Sequence, residues 1–256
     1  MDKVIVITGA SSGIGAALAS KLGEKGAQLV LAARREPELN AVASRAGAQA
    51  LAVVADVTRR ADVQRIVDAA LARFGRIDVF INNAGRGISR SVAELTDDDF
   101  DEMMLVNVKS ALYGMQAVLP HFQARKRGQI INVSSMLGRL PLASLRSAYG
   151  AAKHALQALT ANLRIELRAA YPEIVVSSFL PGVVATDFGK NAVGGGIDSR
   201  AIPFAQPVDE VADKLVELIE QPRAEAYSRP IYQQQVADYY GAADVAVVES
   251  KPPFVR

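Results

Sequence analysis

Short apolar stretches alternate along the chain with longer segments in which apolar residues recur at helical spacing. Both alternating faces of the short stretches are apolar, as expected for strands that are covered by helices on two sides. These stretches are VIVI from Val4, QLVLAA from Gln28, ALAVVA from Ala50, DVFIN from Asp78, QIINVS from Gln129 and IVVSSFL from Ile174. The segments with helical spacing are residues 15–25, 37–46, 59–74, 97–125 and 147–170.

This repeated order of strand and helix predicts an α/β fold with a doubly wound parallel sheet of the Rossmann type and helices on both faces. The chain has 256 residues. That length suits one large domain, so we expect residues 1–256 to form a single domain that carries both a cofactor site and a substrate site. Right-handed crossovers would bring the loops that follow the strands to one edge of the sheet, where ligands bind.

Composition and charge argue against several classes of function. The formal net charge is only +2, and no long run of Lys and Arg is present, so we expect no nucleic-acid partner. The chain has no cysteine and only two histidines, His121 and His154, so we expect no metal site. Its first residues lead directly into a strand, and no uninterrupted apolar window reaches about 18 residues. We therefore expect no membrane partner and a cytoplasmic location.

Two segments lack a regular pattern. Residues 189–200 contain three consecutive glycines, which predicts a mobile segment over a site. We extend this prediction to a mobile substrate loop at residues 186–207, although a flexible connection without a role would have the same composition. Residues 239–256 are expected to form an irregular C-terminal tail, either free or clasping a partner subunit.

A glycine-rich turn follows the first apolar stretch, with the sequence TGASSGIG at residues 8–15. Glycines allow a tight turn and a close approach of the backbone to a diphosphate, while the helix that follows presents unpaired N–H groups to it. The turn, in its position between a strand and a helix, predicts a dinucleotide site. The residues of the turn that we expect to bind the cofactor are Gly9, Ser11, Ser12, Gly13, Ile14 and Gly15.

The end of the second apolar stretch bears on the choice of cofactor. Sites that select NAD usually have Asp or Glu there to hold the ribose 2′-hydroxyl. This stretch ends instead in Ala33, Arg34 and Arg35, and guanidinium groups bind a 2′-phosphate where a carboxylate would repel it. We predict NADP(H) over NAD(H). The alternative is that both arginines are merely solvated.

Tyr149 and Lys153 are four residues apart in the sequence YGAAK, so on a helix they share one face. Taken alone, this spacing is more often a surface contact. Several motifs in one order change that interpretation, because together they resemble the short-chain dehydrogenase/reductase family from about Lys3 to about Gln221. The motifs are TGASSGIG, Asp56 with Val57, NNAG at residues 82–85, Asn107, NVSS at residues 132–135, YGAAK and PGVVAT at residues 181–186.

The resemblance implies a site in which Ser135 holds the substrate oxygen, Tyr149 transfers the proton, and Lys153 binds the nicotinamide ribose and tunes Tyr149. Asn107 would anchor a water chain behind the site. The spacing from Ser135 to Tyr149 is one residue longer than is usual in the family, so Ser134 is the alternative serine. The remaining residues that the resemblance assigns to the cofactor are Asp56, Val57, Asn83, Ala84, Gly85, Pro181, Gly182, Val184 and Thr186.

The chemistry gives a reason for a lysine one helical turn from a tyrosine. Tyrosine has a pKa near 10, and lowering it to about 7 requires roughly 4 kcal/mol. One ammonium about 4 Å away supplies on the order of 4 kcal/mol at an effective dielectric constant near 20. We therefore expect the charge of Lys153 to bring the pKa of Tyr149 near neutrality, where a general acid or base works best.

Residues around the expected site leave the substrate open. Arg86 and Arg146 could approach a charged substrate or be solvated loop residues. Met136, Leu137, Leu140, Leu142 and Phe188 could line an apolar pocket, or could pack in the core or in a dimer contact.

The residues and the resemblance together predict an NADP(H)-dependent carbonyl reductase or alcohol dehydrogenase that acts on a small-molecule carbonyl or alcohol. The alternatives are a non-catalytic redox sensor and, less well matched by the motifs, an epimerase or enoyl reductase. The resemblance also implies a homodimer built on residues 97–125 and 147–170. A homotetramer is the alternative, although the C-terminal end lacks the glycine-rich finish of many tetrameric members.

Overall fold

A computed structural model describes residues 1–251 and 253. Its sheet has seven parallel strands in the order β3-β2-β1-β4-β5-β6-β7. The strands are β1 Val4–Thr8, β2 Gln28–Ala33, β3 Ala50–Val54, β4 Val79–Asn82, β5 Gly128–Val133, β6 Ile174–Leu180 and β7 Glu225–Tyr227. The helices are α1 Gly13–Glu24, α2 Glu36–Ala46, α3 Arg60–Phe74, α4 Asp97–Met104, α5 Ser110–Arg125, α6 Ser147–Leu167, α7 Val208–Glu220, α8 Pro230–Gly241 and α9 Val245–Glu249.

Helices cover both faces of the sheet, which confirms the predicted doubly wound Rossmann-type fold. Ile5 and Ile7 of β1 pack on the face that holds α1, α2 and α7, whereas Val6 packs on the face that holds α3, α5 and α6. All five residues of β1 are buried. Alternate strand residues point to opposite faces, so a strand covered on both sides has no polar face.

The strand order reverses at β1, which pairs with β2 on one side and with β4 on the other. The crossovers on the two sides of this point run in opposite directions, so the helices that follow β1 and β4 lie on opposite faces and leave a crevice at the carboxyl ends of the strands. The glycine-rich turn after Thr8 lies at this crevice, next to the turn that follows Asn82. The fold therefore places the candidate site where open α/β sheets bind ligands.

The predicted helix at residues 97–125 is present, but its pattern of backbone hydrogen bonds changes part-way along. It consists of α4, a π-helical turn at Leu105–Lys109 and α5. A π turn inserts one extra residue into a helix and often occurs at functional sites. Here it carries Asn107.

The prediction of an irregular C-terminal tail at residues 239–256 is wrong for the two parts of that segment that form helices. Residues 239–241 end α8, and Val245–Glu249 form α9, while residues 252 and 254–256 lie outside the described part. Tyr232, Val236 and Tyr239 recur at helical spacing and pack on Met136, Leu140 and Leu180 of the same chain. Burial of this apolar stripe explains why a helix forms there.

That packing also decides the role of several apolar loop residues. Met136, Leu140 and Leu142 lie under α8, so they belong to the core and do not line a substrate pocket. Leu137 instead packs in the cluster that contains Tyr149.

No helix among residues 1–251 is both long enough and apolar enough to cross a membrane.

Candidate active site

The glycine-rich turn is shaped by its contact with the turn after β4. Gly9 has a φ of +67°, and a Cβ atom there would lie 2.8 Å from the Cα of Ala84. The Asn83 side chain donates hydrogen bonds to the carbonyl oxygens of Thr8 (3.0 Å) and Gly9 (3.2 Å). The Thr8 hydroxyl accepts from the backbone N–H groups of Asn83 and Ala84. These four hydrogen bonds fix the glycine-rich turn, so Asn83 and Ala84 support it from below. Glycine fits at position 9 because it has no Cβ atom to meet the Ala84 backbone.

The first turn of α1 is open to an anion. The side chain of Ser12, the residue before α1, makes no capping hydrogen bond. The first N–H groups of a helix have no partner within the helix, so those of α1 are available to a phosphate group. The residues present therefore fit the diphosphate of a dinucleotide.

The two arginines after β2 point to different neighbours. Arg35 donates through Nη2 to the hydroxyl groups of Ser11 (3.0 Å) and Ser12 (2.7 Å). Arg34 lines a separate cavity of about 390 Å³ with Asp56, and its charge acts on that carboxylate. The sequence predicts both Arg34 and Arg35 as cofactor-binding residues, and of the two it is Arg35 that lies across the glycine-rich turn.

Asp56 is held in place at the far end of this cavity. Its Oδ1 atom accepts hydrogen bonds from the backbone N–H (3.0 Å) and the hydroxyl (2.8 Å) of Thr58. Burial alone would raise the pKa of Asp56, but these bonds and the charges of Arg34 and Arg59 lower it overall. Asp56 is therefore an ionised acceptor, which suits an adenine amino group, with the Val57 backbone next to it.

Tyr149 and Lys153 lie on one face of α6, and both are buried, with exposures of 7% and 3%. Ser135 is the second residue after β5, and its hydroxyl acts on the Tyr149 hydroxyl, lowering the pKa of that group. The hydroxyl of Ser134 instead points to the carbonyl oxygen of Lys153, at 3.4 Å. The structure thus brings Ser135, and not Ser134, against Tyr149. The longer spacing between serine and tyrosine is taken up in the loop before α6.

Asn107 joins this group from the π-helical turn. Its Nδ2 atom donates to the carbonyl oxygens of Arg86 (2.9 Å) and Met103 (3.1 Å), and its Oδ1 atom accepts from the N–H of Arg86 (3.2 Å). A Cβ atom at Gly85 would lie 2.9 Å from Asn107 Oδ1 and 3.6 Å from Lys153 Nζ. Gly85 therefore allows Asn107 and Lys153 to approach each other behind the site.

The electrostatics of Tyr149 and Lys153 differ from the sequence-based expectation. Burial raises the pKa of Tyr149 to about 12, against the hydrogen bond from Ser135 and the charge of Arg146, which act to lower it. Burial lowers the pKa of Lys153 to about 7. The expected pKa of Tyr149 near neutrality is wrong for the protein alone. Both groups lose the water around them on burial, and the Lys153 ammonium donates to the Val133 carbonyl oxygen at 2.9 Å.

The segment after β6 closes the crevice from the other side. The N–H of Gly182 donates to the hydroxyl of Ser228 (3.3 Å), and a Cβ atom on Gly182 would lie 2.3 Å from the Tyr232 hydroxyl of α8. The Thr186 methyl group lies near Gly13, 3.4 Å from where a Cβ atom would be placed. Pro181 and Val184 precede Thr186 in the same segment, so the PGVVAT motif meets the glycine-rich turn.

A family model described as short chain dehydrogenase matches residues 3–194. This chain is a short-chain dehydrogenase. An uncharacterized oxidoreductase of Staphylococcus epidermidis is 39% identical over 195 residues, which are 74% of this chain and 84% of that protein. The protein is thus an oxidoreductase of this family.

Solved structures of the family have the same fold. A short-chain dehydrogenase/reductase from Burkholderia phymatum in complex with NAD superposes with a TM-score of 0.86 at 27% identity, covering 100% of this chain and 97% of that one. An alcohol dehydrogenase from Thermococcus sibiricus complexed with 5-hydroxy-NADP has a TM-score of 0.78 at 30% identity, covering 91% and 98%. These two relatives bind different nicotinamide cofactors, so the family alone does not select one.

Sequence reasoning missed how the loops of this short-chain dehydrogenase meet over Tyr149. The Phe188 ring lies 5.4 Å from the Tyr149 ring, centroid to centroid, and is itself 36% exposed. Val193 donates to the Gly87 carbonyl oxygen (2.9 Å) and accepts from the Ser89 N–H (2.8 Å). The predicted substrate loop at residues 186–207 thus contacts the loop after β4, and its mobility stays a prediction. No local pattern signals this pairing, because it joins segments about a hundred residues apart.

Proposed function

We propose that this protein is an NADP(H)-dependent oxidoreductase that interconverts a ketone or aldehyde and the corresponding alcohol. The observation that carries the proposal is the placement of Ser135 at the Tyr149 hydroxyl, on whose pKa it acts, with Lys153 on the same face of α6. These three side chains supply an oxygen-binding hydroxyl, a proton-carrying hydroxyl and a cation in one buried place. A surface contact between tyrosine and lysine would have neither the serine nor the burial.

In the proposed reaction Ser135 orients the substrate oxygen as a preorganised hydrogen-bond donor. Tyr149 gives its hydroxyl proton to that oxygen in reduction and takes it back in oxidation. A raised pKa keeps Tyr149 protonated at neutral pH, which suits the acid of the reductive direction. Lys153 can then stabilise the tyrosinate as it forms, and Asn107 positions the backbone of Arg86 at the rear of the site.

A bound nicotinamide supplies or accepts the hydride, while the protein contributes binding and orientation. The first turn of α1 would hold its diphosphate, Asp56 and Val57 the adenine, and Lys153 the ribose next to the nicotinamide. Thr186 and the Val184 backbone would contact the carboxamide.

We propose NADP(H) as the preferred cofactor because of Arg35. Its guanidinium group lies against Ser11 and Ser12 at the glycine-rich turn. A guanidinium offers paired donors to a phosphate, and both positions directly after β2 lack a carboxylate. Glu36 follows them but is exposed and begins α2.

We also propose that the protein works in the cytoplasm as a homodimer. Phe100 of α4 and Ile165 of α6 are 43% and 68% exposed on the helices expected to form the contact between subunits. A second copy that covers both residues would remove apolar surface from water. Light scattering that finds a monomer would contradict the dimer, and a tetramer would support the alternative assembly.

The proposed activity is tested by following NADPH consumption with a panel of aldehydes, ketones and diketones. Tyr149→Phe keeps the ring but removes the proton, so turnover should fall by at least about a thousandfold while NADPH still binds. Tyr171→Phe is the matched control, because Tyr171 packs against the core beyond α6. Tight NADPH binding without turnover of any carbonyl would favour the non-catalytic sensor instead.

A further inference from the structure

Arg146 lies immediately before α6, three residues before Tyr149. Its side chain is partly buried, and Nη1 donates a hydrogen bond to the Ile88 carbonyl oxygen at 3.0 Å. Its charge acts on Tyr149, because it is one of the two influences that lower the pKa of that hydroxyl. Arg146 therefore adjoins the reacting group of the proposed function, although that function gives it no role.

The other arginines of the surrounding loops are neutralised. Arg86 pairs with Glu102, Arg90 pairs with Asp99 at 2.8 Å, and Arg200 pairs with Asp187 and Asp198. Among residues 1–251, no carboxylate oxygen comes within 4.0 Å of an Arg146 nitrogen in the way these pairs do. Charges taken out of water are usually paired, because leaving one unpaired is costly. The missing partner of Arg146 is thus a feature that needs an explanation.

Three glycines let the backbone of the neighbouring loops pack closely against the Arg146 guanidinium. A Cβ atom at Gly87 would lie 3.1 Å from Nη1, and Cβ atoms at Gly196 and Gly189 would lie 3.2 Å and 3.6 Å from Nη2. The Cβ position at Gly87 also lies 2.9 Å from the Phe188 ring, which packs on Tyr149. The guanidinium, Phe188 and Tyr149 therefore border one region beneath the residue 186–207 loop.

We propose that Arg146 binds a carboxylate carried by the substrate, so that the enzyme acts on an oxo acid or the corresponding hydroxy acid. This inference rests on the proposed function and names the substrate class of the same site. A guanidinium forms two parallel hydrogen bonds with a carboxylate, and the substrate would supply the negative charge that the protein does not.

The closeness of Arg146 and Tyr149 along the chain bears on the size of this substrate. Arg146 caps the N-terminus of α6, with backbone angles outside the helical range, and Tyr149 lies in the first turn. We therefore expect a short molecule, with a few carbon atoms between the carboxylate that reaches Arg146 and the carbonyl oxygen that reaches Tyr149.

The test uses oxopentanoate isomers with the ketone α, β or γ to the carboxylate, each beside its methyl ester. For at least one isomer, the wild-type kcat/KM with NADPH should favour the acid over the ester by roughly tenfold or more. Arg146→Gln should remove this preference by lowering the acid value ten- to a hundredfold and the ester value only a few-fold. Esters that equal acids in the wild type, or an unchanged ratio in Arg146→Gln, would overturn the proposal.

Arg86→Gln is the matched control, since Arg86 is already paired with Glu102 and its loss should leave the acid-to-ester ratio unchanged. Arg146→Lys keeps the charge but not the paired donors, so it should retain part of the preference. If melting curves show that Arg146→Gln does not fold, the lysine variant carries the test. If Arg146→Lys keeps the full preference for the acid over the ester, the proposed pair of hydrogen bonds between Arg146 and the carboxylate is overturned.

Calorimetric titration of the same acids and esters into the protein with bound NADP⁺ separates this inference from the proposed reaction. Acid binding that depends on Arg146, without turnover of any compound, would support the carboxylate site and contradict the reductase function. Turnover of esters and acids alike, with no difference in binding, would support the reductase and overturn the carboxylate site. Neither turnover nor binding that depends on Arg146 would overturn both.

Discussion

Lys153 lies one helical turn beyond Tyr149, yet its ammonium donates to the carbonyl oxygen of Val133, at 2.9 Å, and lies 5.5 Å from the centre of the tyrosine ring. Both side chains are buried, and burial opposes the charged form of each. The pair is therefore held in the form in which Tyr149 keeps its proton and Lys153 gives up its proton near pH 7. When a cofactor and a substrate bind in this site, they change the charges around Tyr149 and Lys153. The protonation of both side chains is expected to respond to that change.

Replacing Lys153 by methionine should stabilise the cofactor-free protein near neutral pH while abolishing turnover. Folding lowers the pKa of Lys153 from 10.5 to about 7, so between these values the unfolded chain binds a proton that the folded protein does not. The wild-type free energy of unfolding should therefore rise with pH in that window, by up to about 1.4 kcal/mol per unit, relative to Lys153→Met. Urea denaturation at about pH 7 and about pH 9 measures this difference.

The control for that measurement is Lys109→Met, because Lys109 is exposed at the end of the π-helical turn. Its removal should change stability by only a few tenths of a kcal/mol and equally at both pH values. If Lys153→Met raises the free energy of unfolding equally at both pH values, the Lys153 side chain is not desolvated in the folded protein.

Ser135→Ala and Ser134→Ala test which serine acts. The Ser135 hydroxyl acts on the Tyr149 hydroxyl, so its loss should lower kcat about a hundred- to a thousandfold, as the loss of one preorganised donor does. The Ser134 hydroxyl donates instead to the carbonyl oxygen of Lys153 at 3.4 Å, so Ser134→Ala should stay within a few-fold of the parent. NADPH consumption is measured for the two variants side by side. If Ser134→Ala loses more activity than Ser135→Ala, the assignment of Ser135 is rejected.

Arg35→Gln should weaken the use of NADPH selectively. Hydrogen bonds to a charged group contribute about 1.5–3 kcal/mol, so kcat/KM with NADPH should fall roughly ten- to a hundredfold, while the value with NADH changes little. Arg34→Gln is the comparison, since Arg34 lies beside Asp56 and should have the smaller effect. Equal losses with both cofactors in Arg35→Gln would mean that Arg35 supports the glycine-rich turn and does not read the 2′-phosphate.

Gly9→Ala should destabilise the protein more than Gly75→Ala. Both glycines have a positive φ, +67° and +72°, so alanine at either position costs about 1–2 kcal/mol of backbone strain. A Cβ atom at Gly9 also meets the Ala84 backbone at 2.8 Å, whereas at Gly75 nothing lies within 4 Å. Thermal denaturation should show the larger loss for Gly9→Ala. Equal losses would mean that the turn relaxes around the added methyl group.

The local patterns of the sequence were sufficient for the elements that build the fold. Strands β1 to β6 appear as mainly apolar stretches, since most residues of a strand that is covered on both faces are buried. The helices α1 to α6 follow from their periodicity, and so does the shared face of Tyr149 and Lys153. The apolar residues of α7 also recur at helical spacing, so its sequence is sufficient to indicate a helix. Strand β7 has three residues and is too short for any pattern to identify.

The tertiary structure alone decided how the charges and hydroxyl groups are used. Sequence left Arg86 and Arg146 equivalent, but Glu102 neutralises Arg86 while no carboxylate in residues 1–251 reaches Arg146. It also left Ser134 and Ser135 open, and only the packing of the loop before α6 turns Ser135 to Tyr149. Periodicity is set by neighbours along the chain. Pairing and loss of water are set by residues far away in sequence, and these determine the pKa of Lys153 and the chemistry of the site.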